Sequence, residues 1–215
     1  MRDINEKLGV AAKAGADVEL TSLLQEPGCN ALSKDEKGVT ALMFAAFYGH
    51  EACVRLLLPV SEALDTSDDG RTALMCAARF GHEECVRLLL PTSDPLAKGR
   101  TGRQALMWAA CHGHEACVRL LLPMSDVLSK DKDGMTALMW AAMCGHEECV
   151  RLLLPVGDAL AKDNKGLTAS TLARNKGHES LAQFIDGYAL ARSELVFIGD
   201  AASPGSPVGR AARRV

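Results

Sequence analysis

The chain has 215 residues, 48% of them apolar and only 4% aromatic, with a formal net charge of −3. That charge argues against a polyanion bound over the whole surface, and no run approaches the roughly 18 apolar residues that would span a bilayer. The opening residues, Met1 to Lys7, are charged and lack the apolar core of a secretory signal, so neither secretion nor membrane insertion is expected.

A 32-residue word recurs along almost the whole chain. Residues 1–34 hold a degraded copy in which Leu8, Ala11, Ala12, Gly15, Val18, Leu20, Leu23 and Leu24 keep the repeat's slots. Four full copies follow at 35–66, 67–98, 99–130 and 131–162. A last copy occupies 163–192, where Ser170 takes the usual leucine slot and Arg174 the second alanine slot, as expected of a capping unit with one face in water. A fixed period of this size means a solenoid whose units bury their apolar faces only against their neighbours. From Ser193 the pattern stops, and 193–215, with Ser203-Pro204, Ser206-Pro207 and the basic Arg210, Arg213 and Arg214, is expected to be a flexible tail.

Within each full copy the elements follow in a fixed order. A turn comes first, such as Asp35-Glu36-Lys37-Gly38, because Asp favours turns and Gly supplies a positive φ. Thr40, Thr72, Thr136 and Thr168 then predict capped N-termini for short first helices, Ala41 to Tyr48 in the first full copy. Gln104 stands in the third copy, so that helix is expected to lose its cap at about 1 kcal/mol. Gly49 and its equivalents end the first helix. The second helix opens at His50-Glu51, and Glu51/Arg55, Glu83/Arg87, Glu115/Arg119 and Glu147/Arg151 are spaced to pair on a solvated face, at about 0.2–0.5 kcal/mol each. Pro59, Pro91, Pro123 and Pro155 are expected to stop it. The fold class is therefore all-α, a stack of helix-turn-helix units.

Eight cysteines form no disulfide framework, which points to a reducing, cytoplasmic setting. Cys53, Cys85, Cys117 and Cys149 share one slot and should pack as small apolar residues. Cys111, His112, His114 and Cys117, and Cys144, His146 and Cys149, bring metal-ligand types close together in sequence. Yet His114, Cys117, His146 and Cys149 recur in copies that lack Cys111 or His112, so packing explains them and no metal or other cofactor is expected. With no phosphate cradle, no Cys-x-x-Cys and no nucleophile-base pair outside the repeated word, no catalysis is expected. Lys98, Arg100 and Arg103 form a basic tip, but Asp68 and Asp69 occupy the preceding one. A phosphate track would keep one sign along successive tips, so nucleic acid is not an expected partner.

The word Gly-x-Thr-Ala-Leu-Met-x-Ala-Ala-x-x-Gly-His-Glu-x-Cys-Val-Arg-Leu-Leu-Leu resembles the ankyrin repeat, whose signature includes T-P-L-H-x-A, over about residues 4–192. It departs from that pattern in having Ala and Met for Pro and His (Ala41/Met43, Ala73/Met75, Ala105/Met107, Ala137/Met139), which removes a polar network between units. The period is also one residue short of the usual 33. Near-identical units with Met in the His slot look like the large ankyrin sets of some parasitic protists. The resemblance implies an ankyrin-repeat solenoid acting as a monomeric adaptor or scaffold. It would bind a protein partner through the turn tips and the inward face of the first helices.

Carried onto this chain, the resemblance assigns tip positions that include Arg71, Arg100, Arg103, Lys132 and Met135, and first-helix positions Phe47/Tyr48, Arg79/Phe80, Cys111/His112 and Met143/Cys144. Copies that agree nearly everywhere else differ at these positions, and they hold the aromatics, Met and Arg that interface cores favour. A partner groove from Tyr48 through Phe80 to His112 and Met143 is expected; drift of duplicated repeats where packing does not constrain them is the alternative. Phe44, Trp108 and Trp140 share a slot expected to lie in the core between units rather than to form a ligand-stacking ladder. A second functional reading is a regulatory ankyrin arm that competes with a longer kinase- or ligase-linked relative for a shared partner.

Overall fold

The computed structural model describes residues 3–202, with side chains through Ser193. Among the described residues the helices come in pairs, with no strand. α1 (Ile4–Ala14) precedes α2 (Asp17–Gln25), α3 (Ala41–Tyr48) precedes α4 (Glu51–Leu57), and α5 (Ala73–Phe80) precedes α6 (Glu83–Leu89). Then come α7 (Ala105–Cys111) and α8 (Glu115–Leu121), α9 (Ala137–Cys144) and α10 (Glu147–Leu153), and α11 (Ala169–Asn175) and α12 (Glu179–Ala202). The first helices α1, α3, α5, α7, α9 and α11 pack on one another in chain order, and α2, α4, α6, α8 and α10 form a second layer beside them.

Composition explains the layers. The alanine pairs Ala45/Ala46, Ala77/Ala78, Ala109/Ala110 and Ala141/Ala142 are fully buried and let first helices approach closely. Leu42, Leu74, Leu106 and Leu138 fill the space between them, and Met43, Met75, Met107 and Met139 lie buried where the ankyrin signature carries histidine. Thioether packing thus takes the place of the polar network. Cys53, Cys85, Cys117 and Cys149 are buried in the second layer. Burial pushes the thiols of Cys85, Cys117 and Cys149 up to about 11, so they stay protonated and pack as apolar groups.

The caps fall where the threonines predict them. The hydroxyls of Thr40, Thr72, Thr136 and Thr168 accept from the backbone N–H of Met43, Met75, Met139 and Thr171. On the second helices, Arg55, Arg87 and Arg119 meet Glu51, Glu83 and Glu115 at 2.7, 2.7 and 2.6 Å, and Arg151 meets Glu147. Arg55 also reaches Glu84 of the next unit at 3.2 Å.

Histidine heads α4, α6, α8 and α10 but caps none of them. Its ring reaches back to the previous unit. The Nε2–H of His50, His82, His114 and His146 donates to the carbonyls of Lys13, Phe47, Arg79 and Cys111 at 2.9, 3.0, 3.0 and 3.1 Å. Each acceptor lies in the last turn of a first helix, where carbonyls have no partner within the helix. A carbonyl can only accept, so the proton sits on Nε2. The ring packs on the glycine that ends that same helix. At Gly49, with φ of 77°, an added Cβ would lie 2.4 Å from Nδ1 of His82. Burial lowers the pKa of His114, opposed by its bond to the Arg79 carbonyl, and His112, His146 and His82 lower it further, so the ring is mainly neutral at physiological pH.

A backbone ladder joins the turn tips as well. The N–H groups of Asp68, Arg100, Lys132 and Asn164 donate to the carbonyls of Lys37, Asp69, Thr101 and Asp133 at 2.9–3.1 Å. The four full units are therefore tied to one another at both ends of the first helix.

Several expectations require correction. Val18 is 77% exposed and fills no apolar slot. Ser170 is buried rather than facing water, its hydroxyl 3.1 Å from that of Thr168, whereas Arg174 is exposed and paired with Glu179 and Asp186. The second helix ends ahead of Pro91 and Pro155 as expected, at Leu89 and Leu153, but Pro59 and Pro123 sit inside single 3-10 turns, Leu58–Val60 and Leu122–Met124, that continue it. A tighter turn tolerates a proline that an α-helical interior would not. Helix α12 runs past Arg192 to Ala202, so the first part of the expected tail is helical; 203–215 lies outside the described residues.

Gln104 makes no cap bond. Its Nε2 donates to the Leu96 carbonyl at 3.0 Å, and its Oε1 is buried without a partner. Gln104→Thr removes that orphan oxygen and restores a cap to Met107, at the expense of the Leu96 bond. The expected result is a gain of about 1 kcal/mol in urea unfolding. An unchanged midpoint would show that the Leu96 bond matters as much as the cap.

Candidate protein-interaction face

The turn tips and the ends of the first helices form one continuous face. Tyr48 and Phe80 are 50% and 38% exposed, and Arg100, His112 and Lys132 are also exposed. Phe47, Arg71, Arg79, Arg103 and Met143 are half-buried. Met135 leaves the surface: only 4% exposed, it belongs to the core. Its slot is also that of Val39, Arg71, Arg103 and Leu167, all half-buried. An apolar side chain there turns inward, whereas arginine lays its stem down and carries its charge outward.

Three zones follow one another along this face. At one end Phe47 packs against Phe80 at a tilt, with ring centres 4.2 Å apart, and meets Tyr48 edge-on at 4.9 Å. A cavity of about 420 Å³ opens beside it, lined among others by Met43, Phe44, Phe47, Asp69, Arg71 and Cys76. In the middle, guanidinium groups lie over the two indoles; Arg103 is 3.6 Å from the ring centre of Trp140 and 4.8 Å from that of Trp108. Trp108 and Trp140 are buried between units, while Phe44 is half-buried. At the far end lie His112, Met143, Cys111 and Cys144.

Asp131 organises the middle zone, and sequence reasoning did not single it out. Its side chain is 1% exposed. One carboxylate oxygen accepts from Trp140 Nε1 at 3.0 Å and from Arg103 Nε at 3.4 Å; the other accepts from the amides of Asp133 and Met135. The same slot holds Asp35 and Asp163, which make the two amide bonds alone. The signal was the combination of that aspartate with a Trp in the first helix of the same unit, found only in this copy.

A leucine column in the return loops was missed as well. Leu32, Leu64, Leu96, Leu128 and Leu160 are all exposed, at an unbroken 32-residue spacing that was visible in the sequence.

The Cys/His cluster does not converge. The Cys111 and Cys144 sulfurs lie 3.8 Å apart, but His112 Nδ1 is 3.0 Å from the Trp108 carbonyl and the His146 ring is bound to the backbone of Cys111. Among the described residues no group of three His, Cys, Asp or Glu side chains is placed to hold a metal ion. Burial, then the neighbouring Cys144 thiol, pushes Cys111 up to about 11, which keeps it protonated.

A family model described as ankyrin repeats (3 copies) matches residues 8–99, 67–131, 91–163 and 106–188. Together with the paired helices and hairpin tips, this places the chain in the ankyrin-repeat family, whose members are generally protein-interaction modules and typically not catalysts. No curated protein matches it. No helix among the described residues is long and apolar enough to cross a membrane.

Asp131 and Asp35 offer a controlled comparison. Asp131→Ala removes the two tip bonds and also strands Arg103 and the Trp140 N–H; Asp35→Ala removes the tip bonds only. Urea unfolding should show Asp131→Ala costing about 2 kcal/mol more. Equal losses would mean that the Arg103 and Trp140 contacts contribute nothing net.

Proposed function

We propose that this chain is a non-catalytic adaptor or scaffold that binds a protein partner through the face of turn tips and first-helix ends. The observation that supports it best is where the repeats differ. Units nearly identical in their core and second helices diverge at Phe47/Tyr48, Arg79/Phe80, Cys111/His112 and Met143/Cys144, and these neighbours line one face. Half-exposed aromatics and arginines, already ordered by contacts between their rings and by guanidinium groups over the indoles, supply contact area at little entropic cost. The likeness to protist arrays of near-identical units fits a set of binders diversified on one scaffold. The chain would act as a monomer in a reducing cytoplasm, where its eight free cysteines stay reduced.

The test is affinity capture from cell lysate with wild type beside Tyr48→Ala/Phe80→Ala/Met143→Ala, both first matched for helicity by circular dichroism. A partner captured by wild type and lost with the triple variant is the expected result. Identical capture by both proteins would overturn the assignment of the face.

A further inference from the structure

Arg71 on one tip, Arg79 at the end of α5 and Arg103 on the next tip converge on a single ring. Their guanidinium carbons lie 5.8, 4.9 and 4.8 Å from the ring centre of Trp108. Three like charges around one indole repel one another, and the ring attracts each only weakly. Their neutralisation by carboxylates is uneven. Arg103 shares the buried Asp131, and Arg71 has the exposed Asp69 of its own tip at 3.6 Å. Arg79 has no carboxylate within 4.0 Å among the described residues, and its Nε is buried without a hydrogen-bond acceptor. The local field acts on nearby thiols too. Burial pushes Cys76 up to about 11, and Arg71 and Arg79 pull against that rise.

Open space lies on the Arg71 side of the same ring. A cavity of about 100 Å³ opens over Trp108, lined by Asp69, Arg71, Gly99, Arg100, Thr101 and Trp108, and the exposed Asp69 must swing out for another carboxylate to take its place on Arg71. Arg79 also stacks 5.3 Å over Phe80, which joins this charged zone to the aromatic one. A long polyphosphate fits poorly, since Asp68 and Asp69 sit on the tip that carries Arg71 and Asp133 on the tip beyond Arg103. One carboxylate fits: it would pair with guanidinium groups held in fixed planes.

We infer that the partner presents an acidic side chain to Arg79 and Arg71 at Trp108, next to an apolar residue that packs on Phe80. This rests on the proposal that the partner binds this face, and gives that partner a chemistry.

The experiment pans a random-peptide display library against the full chain, then measures a synthesised selected peptide by fluorescence anisotropy. Selected peptides should share an Asp or Glu beside an apolar residue. Changing that acid to its amide, or Arg79→Gln, or Arg71→Gln, should each weaken binding about tenfold or more, and the acid and Arg79 changes combined should cost less than their product. Arg71 lies on a tip outside the helices, so its variant keeps the test valid if Arg79→Gln unfolds. Peptides without an acidic preference, yet sensitive to Tyr48→Ala/Phe80→Ala, would overturn this inference and leave the face standing. Peptides indifferent to every one of these variants would overturn both. Failure to select any peptide, or displacement of the peptide by an equimolar single-stranded oligonucleotide, would also overturn it, the latter in favour of a polyanion site.

Discussion

The structure depends on a histidine that crosses the repeat boundary, bonding back from His50, His82, His114 and His146. A short helix of seven or eight residues is marginal alone, and its last carbonyls have no partner of their own. The next unit's imidazole supplies one, packing on a glycine whose missing Cβ makes the room. Gly-His therefore works as an interlock between units rather than as a helix stop followed by a helix start. With the ladder of tip amides at the opposite end of each first helix, it sets the register of the whole stack.

The interlock also explains how one face can vary while the array stays constant. The gripped carbonyls belong to Phe47, Arg79 and Cys111, which are among the positions where the units differ most. A backbone acceptor is indifferent to the side chain beside it. Substitution there alters the surface without loosening the joint between units. The tip residues Arg71 and Arg103 have similar freedom, because their turns are held by backbone bonds. A rigid scaffold that carries such positions loses little entropy on binding, so what the face recognises is set by the few side chains displayed.

Much of the fold was legible because it repeats. Threonine caps, the buried cysteine column and the Glu/Arg pairs are local patterns that need no knowledge of what lies across the boundary. The histidine's partner was hidden by the same regularity: each of the four full units carries both halves of the interlock, so nothing in the sequence says that the bond joins different units. Met135 looked like a displayed residue because its slot holds arginine in two other units, yet an apolar side chain in that slot turns inward. Ser170 looked solvent-facing because it replaces leucine, but Thr168 satisfies its hydroxyl within the helix start. The role of Asp131 depended on Trp140 and Arg103 meeting around it, which spacing alone does not express.

The most direct test of the interlock is the protonation of the imidazole nitrogens, read by long-range proton–nitrogen NMR of the uniformly labelled chain at mildly alkaline pH. His50, His82, His114 and His146 should all carry the proton on Nε2, with Nδ1 bare. His112, whose Nδ1 faces the Trp108 carbonyl at 3.0 Å, should show the opposite tautomer in the same spectrum. Finding the four interlock rings protonated on Nδ1, or averaging between tautomers as free histidine does, would contradict the account.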